Sequence, residues 1–186
     1  MRLFIALDPP EGLRDALMDM QDGLGLGREV PPENLHVTLA FLGDQPEASA
    51  ELLHEMLGAI RAPAVRLTLR GAEMFGGRQP RAAVALVEKV PELVALQEKV
   101  VQAARMAGIE LPRRRFKPHF TLMRLPRFLP DFAEHRIAAW LGRNGDLVYA
   151  GGDALQFTLY RSTLHGDGPI YDALAQYPLA PTEEPA

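Results

Sequence analysis

His36-Val37-Thr38-Leu39 and His119-Phe120-Thr121-Leu122 stand 83 positions apart and repeat one order of side chains. Five histidines and six threonines scattered at random through 186 residues give far fewer than one His-x-Thr triplet. Both copies sit in β-prone runs. Side chains at i and i+2 of a strand point to one face, so each copy sets an imidazole beside a hydroxyl. Two such strands facing each other across a cleft bring together two imidazoles and two hydroxyl donors. A neutral imidazole takes a proton while a protonated one gives a proton. A threonine hydroxyl donates to a non-bridging phosphate oxygen, where charge builds up in the transition state. The result is a metal-free constellation for phosphodiester chemistry.

Blander readings fit less well. A lone histidine in an apolar strand is ordinarily a packed core residue, but the duplication argues against that here. Zinc held by the pair would lack a carboxylate or thiolate nearby on either strand face, so no metal or other cofactor is expected. His54 and His135 fall on helices and His165 in a turn; all three read as surface residues. No phosphate-cradling Walker loop, dinucleotide Gly-x-Gly-x-x-Gly or Gly-x-Ser-x-Gly turn occurs. Gly23, Gly25 and Gly27 end a helix rather than begin one.

The elements that must position the two triplets follow from hydrophobic periodicity. Strands are expected at Arg2–Leu7, Leu35–Leu42, Val65–Leu69, Arg81–Val87, Phe116–Leu122 and Ala154–Leu164. Helices are expected at Glu11–Leu24, Ala48–Ile60, Pro91–Ala107 and Phe132–Leu141, followed by a last apolar segment, Ile170–Leu179. Strands do not alternate strictly with helices, which favours α+β with antiparallel sheets over a doubly wound parallel sheet. A helix precedes each triplet-bearing strand and another follows it, so the repeat extends beyond the triplets. The length fits one domain or two lobes sharing a core, with residues 181–186 a frayed tail.

Composition narrows the class further. The chain is 47% hydrophobic and 24% charged, as ordinary globular chains are, and has no cysteine, hence no disulfide, zinc-thiolate or cysteine nucleophile. No apolar run is long enough to span a membrane. The N-terminus runs straight into a strand and lacks a signal-peptide layout, so a cytoplasmic protein is expected. Net charge is −4, which argues against a nucleic-acid-coating surface. Yet Arg113, Arg114, Arg115, Lys117, Arg124 and Arg127 crowd one region, which fits a solvated basic loop and a local anion site equally well.

At these residues the sequence resembles the RNA 2′,3′-cyclic phosphodiesterases, also called 2′-5′ RNA ligases, of the two-histidine phosphoesterase superfamily. The similar stretches are RLFIALDPP, LHVTLAFLG around His36, RFKPHFTLMR around His119, and LYRSTLHGDGPIYDALAQYPL near the end. The resemblance implies a bilobal α+β fold with a pseudo-twofold repeat, two antiparallel sheets lining a central cleft and helices outside. It implies opening of a terminal 2′,3′-cyclic phosphate to a 2′-phosphate. His36 and His119 then form the catalytic pair, with His36 the acid and His119 the base, and Thr38 and Thr121 hold the phosphate. RNA ends or cyclic nucleotides are the expected substrates, and a monomer the expected state.

Phe41 and Arg124 each lie five residues past their histidine and are counterparts in the repeat. A ring and a guanidinium can stack on a terminal nucleobase, and Arg124 can instead pair with phosphate. Strict alternation puts both on the face opposite the histidines, so a bulge or strand end is needed to bring them round; core packing for Phe41 and a surface role for Arg124 fit the sequence equally well. Tyr160 and Ser162 alternate on a strand face that can reach the cleft. Two rival functions stay open at this level, hydrolysis of small cyclic nucleotides or cyclic ADP-ribose derivatives and non-catalytic binding of RNA ends. The reverse reaction, 2′-5′ ligation at the same site, can coexist with the main activity.

Overall fold

The computed structural model describes residues 1–181; of the tail expected to fray, 182–186 lie outside the described residues. Along the chain come β1 (Arg2–Leu7), α1 (Glu11–Gln21), β2 (Arg28–Glu29), a 3₁₀ turn (Pro32–Asn34), β3 (Val37–Asp44), α2 (Glu47–Gly58) and β4 (Val65–Phe75). They are followed by β5 (Ala82–Val87), α3 (Pro91–Met106), β6 (His119–Arg124), α4 (Ala133–Asn144), β7 (Val148–Ala154), β8 (Gln156–His165) and β9 (Gly168–Pro178). Proline at the first turn of α3 has no N–H to leave orphaned, and Gly108, at φ 76°, ends that helix in the left-handed region.

The strands form an antiparallel sheet in the order β7-β4-β5-β6-β3-β1-β8-β9, with short β2 added on β6. α2 and α3 cover the β3-β1-β8-β9 half, while α1 and α4 cover the β7-β4-β5-β6 half. Leu3, Ile5 and Leu7 of β1 and Val37, Leu39 and Leu42 of β3 are buried under the first pair of helices. Trp140 of α4 is fully buried, and its Nε1–H donates to the Met20 carbonyl at 2.7 Å, which ties α4 to α1.

The expected two sheets are two halves of one sheet, joined at a single residue pair, Val37 with Phe120. These two residues are counterparts in the repeat, so the pseudo-twofold axis runs through their pairing. Other elements also depart from the sequence expectations: short β2 lies in none of the expected strands, and β3 and β6 begin at Val37 and His119 rather than Leu35 and Phe116. β4 continues to Phe75 instead of ending at Leu69, because the β4–β5 hairpin turns only at Gly76-Gly77. β7 was not foreseen, since Val148–Ala154 is an edge segment carrying two glycines and showing no clean alternation. The last apolar segment is a full strand, paired with β8 from Gln156 to His165.

Candidate active site

The junction of the two half-sheets sets the geometry of the triplets. Antiparallel pairing of Val37 with Phe120 brings His36 opposite Thr121, and Thr38 opposite His119. Each histidine therefore shares a recess with the other triplet's threonine. His36, Thr121 and Arg124 line a small, largely apolar cavity with Pro31, Pro169 and Tyr171. His119, Thr38 and Phe41 line a broad groove that runs along α3 and the 111–117 loop. The four triplet side chains flank the half-sheet junction in two crossed pairs, His36 with Thr121 in the cavity and His119 with Thr38 in the groove.

Both rings are held the same way. His36 Nδ1 lies 2.6 Å from the Asn34 carbonyl, and His119 Nδ1 lies 2.7 Å from the Lys117 carbonyl. A carbonyl only accepts, so Nδ1 carries the hydrogen in both rings and Nε2 is left for chemistry. Local sequence explains these carbonyls. Asn34 ends the 3₁₀ turn, and Lys117 precedes Pro118, which confines it to extended backbone. Burial pushes both imidazoles below their ordinary value of 6.5. For His36 the Asn34 hydrogen bond and the Asp8 carboxylate oppose that fall, whereas Arg124 and His119 add to it. For His119 the Lys117 hydrogen bond opposes it, and the charges of Lys117 and Arg124 add to it.

Phe41 and Arg124 do come round to the face of the histidines, and bulges bring them. On β3, Thr38 pairs with Ala6, Ala40 with Ile5 and Phe41 with Phe4, so Leu39 is the extra residue. On β6, Thr121 pairs with Val84, Met123 with Ala83 and Arg124 with Ala82, so Leu122 is the extra residue. Leu39 and Leu122 are counterparts, and each bulge rephases the strand by one residue. The two side chains nevertheless do not meet. Arg124 lines the small cavity and Phe41 the groove, so they cannot clasp one base between them. Phe41 is half exposed and has the Arg2 guanidinium 5.1 Å from its ring centroid.

An aromatic floor lies under His36. Phe4 approaches the His36 ring at 4.9 Å and stacks on Tyr160 at 5.1 Å, and Tyr171 meets His36 edge-on at 5.4 Å. Beyond it the Tyr160 hydroxyl donates to Asp8 at 2.6 Å, and the Thr158 hydroxyl donates to the same carboxylate at 3.2 Å. Burial and this carboxylate push the Tyr160 phenol well above its ordinary range. Sequence reasoning left Tyr160 without a role and missed Asp8, Asn34 and Tyr171. Their places depend on the register of β1 against β3 and β8, which no local pattern encodes. Phe75 stacks edge-on against His119 at 4.7 Å, so the second ring also rests on an aromatic.

Charge around the cleft is uneven. Arg113, Arg114, Arg115 and Lys117 line the groove beside His119. Lys117 is ion-paired with Glu73, whereas among the described residues the three arginines form no ion pair. His54, His135 and His165 are exposed, as expected, and His54 Nδ1 contacts the Tyr177 hydroxyl at 2.8 Å. Among the described residues no three His, Asp or Glu side chains cluster as metal ligands, and no helix is long and apolar enough to cross a membrane.

Residues 7–86, which include the first triplet, match the family of LigT-like phosphoesterases. Over 96% of its length the chain is 33% identical to an RNA 2′,3′-cyclic phosphodiesterase of Thermus thermophilus, covering 90% of that protein. An RNA 2′,3′-cyclic phosphodiesterase of Archaeoglobus fulgidus is 28% identical over 94% of this chain and 98% of its own. The crystal structure of E. coli LigT complexed with 3′-AMP superposes with a TM-score of 0.72 and 28% identity, covering 96% of this chain and 97% of that one. Likeness to these proteins spans both half-sheets, and the chain belongs to the LigT-like phosphoesterases.

Proposed function

We propose that the chain hydrolyses the 2′,3′-cyclic phosphate at RNA 3′ ends to a 2′-phosphate without a metal ion. The observation that carries this reading is the pair of Nδ1–H-anchored imidazoles whose Nε2 atoms are left free beside two threonines. A water molecule attacks phosphorus, and His119 Nε2 takes its proton. The P–O3′ bond breaks, and O3′ takes the proton from His36 Nε2. The pair ends with its proton exchanged from His36 to His119, and solvent resets it. Thr38 and Thr121 donate to the non-bridging oxygens as charge gathers there, and Arg124 adds a cation on the same face.

The leaving O3′ beside His36 puts the terminal nucleoside toward the small cavity, and the arginine-lined groove attracts the RNA backbone. That groove also favours one second activity. A 5′-hydroxyl lying there replaces water as the nucleophile, attacks the cyclic phosphate, expels O3′ and leaves a 2′-5′ linkage. Both triplets lie in one chain, and the proposed working unit is that single two-lobed chain, a monomer. The proposed substrate assigns its work to the cytoplasm.

Incubation of a cyclic-phosphate-ended oligonucleotide and a cyclic mononucleotide with the protein in excess chelator tests the proposal. Turnover of the oligonucleotide to a single 2′-phosphate product is expected. A clean 3′-phosphate would refute the pose. Activity lost to chelator and restored by zinc or manganese would refute the metal-free mechanism. Preference for the mononucleotide would favour a small cyclic-nucleotide phosphodiesterase, and binding without turnover an RNA-end-binding module.

A further inference from the structure

The pseudo-twofold is broken at the residues facing the two histidines. Across the sheet, His119 is paired with Leu86 of β5, as Thr121 is with Val84. In the other half, Thr38 is paired with Ala6 of β1 and Val37 with Leu7, so the next residue of the chain, Asp8, comes opposite His36. One histidine thus faces an apolar side chain and the other a carboxylate. Asp8 is fixed there by two donors, the Tyr160 hydroxyl at 2.6 Å and the Thr158 hydroxyl at 3.2 Å. Thr158 is fully buried and Tyr160 is stacked on Phe4, which in turn touches the His36 ring.

We propose that Asp8 is a positioning residue: its carboxylate holds the shared proton on His36, which makes His36 the acid and leaves His119 the neutral base. This rests on the acid–base reading given above and adds what breaks its symmetry. The other groups around His36 do not supply a competing anion of the same standing. His119 and Arg124 on β6 and Arg28 on β2 are cationic or neutral, Tyr160 on β8 and Tyr171 on β9 are neutral phenols, and Glu29 on β2 is exposed to water across the small cavity. Around His119 the facing charges are the cations Lys117 and Arg124, with the Glu73 carboxylate spent on Lys117.

Histidine NMR titration of the free protein tests this directly, with resonances assigned through the single His→Ala variants. In the unaltered chain His36 should take up its proton at higher pH than His119. Asp8→Asn, which keeps size and can still accept a hydrogen bond, should lower the His36 midpoint by about 0.5–2 pH units while moving His119 less. The alkaline limb of kcat/KM should shift down with it. Asp8→Glu, which keeps the charge, should restore most of the difference. First protonation of His119, or a His36 midpoint unmoved in Asp8→Asn, would overturn the assignment; the first of these readings needs no variant to fold. The titration needs no turnover. Absent hydrolysis with the expected titration therefore counts against the proposed function, and normal hydrolysis with an unmoved His36 counts against Asp8.

Discussion

The two imidazoles are tethered alike through Nδ1, so what each does depends on its Nε2 and on the charges nearby. His36→Ala and His119→Ala should each lower kcat by at least about a hundredfold, the usual loss for a general acid or base. Both histidines are only partly buried, so thermal melts of both variants should stay close to the parent's. A folded variant with near-parental turnover would sink the two-histidine mechanism. Thr38→Ala and Thr121→Ala each remove one donor and should cost less, about tenfold to a hundredfold. The pH dependence has a definite sign. kcat/KM reports the free protein, in which both imidazoles lie below 6.5. Rising pH removes the acid's proton, and falling pH protonates the base, so the singly protonated pair peaks between two lowered midpoints. The kcat/KM optimum should therefore lie below pH 6.5. An optimum above that value would show that the pair does not work in this protonation state.

At the scale of elements, the site depends on two bulges, and each bulge depends on a glutamine. The extra residue of a bulge leaves backbone groups outside the ladder. The Leu122 carbonyl is taken by the Val30 N–H at 2.9 Å and by Gln21 Nε2 at 2.9 Å; the same Gln21 amide donates to the Val30 carbonyl at 2.8 Å. In the other half Gln97 Nε2 of α3 reaches the Leu39 carbonyl at 3.4 Å. Gln21→Leu, at a buried position, leaves the Val30 carbonyl without its donor. Calorimetry should show a loss of about 1–3 kcal/mol, or about 2–4 °C in Tm for each kcal/mol. Because β2 and the bulge also frame Arg124, KM should rise more than kcat falls. Unchanged stability would mean that the bulge carries its own weight without the amide. These bulges also mark where the sequence stops being legible. Period-2 and period-3.6 patterns locate most of the strands and all four helices, and the repeated triplets bring His36, Thr38, His119 and Thr121 into view. A bulge has no such pattern: LHVTLAFL alternates as far as Leu39 and then runs apolar, and only its pairing with β1 reveals that Leu39 is extra. Asp8 is hidden for a related reason. Asp8-Pro9 reads as a strand end, and its meaning comes from β8, some 150 residues away.

At the scale of the whole molecule, the pseudo-twofold places both histidines at one junction but leaves the surrounding surface asymmetric. Net charge is −4, yet the groove beside His119 carries Arg113, Arg114, Arg115 and Lys117. An acidic protein repels a polyanion at long range, so any preference for RNA over a small cyclic nucleotide must come from a local cation cluster. Lys117 is partly neutralised by Glu73, which leaves the three arginines as the main source of that field. In the proposed pose the small, mostly apolar cavity beside His36 receives the terminal nucleoside. A cyclic mononucleotide and a cyclic-phosphate-ended oligonucleotide should therefore be separated by the loop alone. Combined Arg113→Gln, Arg114→Gln and Arg115→Gln should lower kcat/KM for the oligonucleotide about tenfold or more at low salt. Each single-strand phosphate contact contributes about 0.7 to the log–log salt dependence, so that slope should become shallower by up to about 2. Turnover of the mononucleotide should fall far less. Equal losses on both substrates would mean that the loop acts on the histidine pair through its field rather than on the RNA strand. An unchanged salt slope with an intact oligonucleotide preference would place the strand outside the groove altogether.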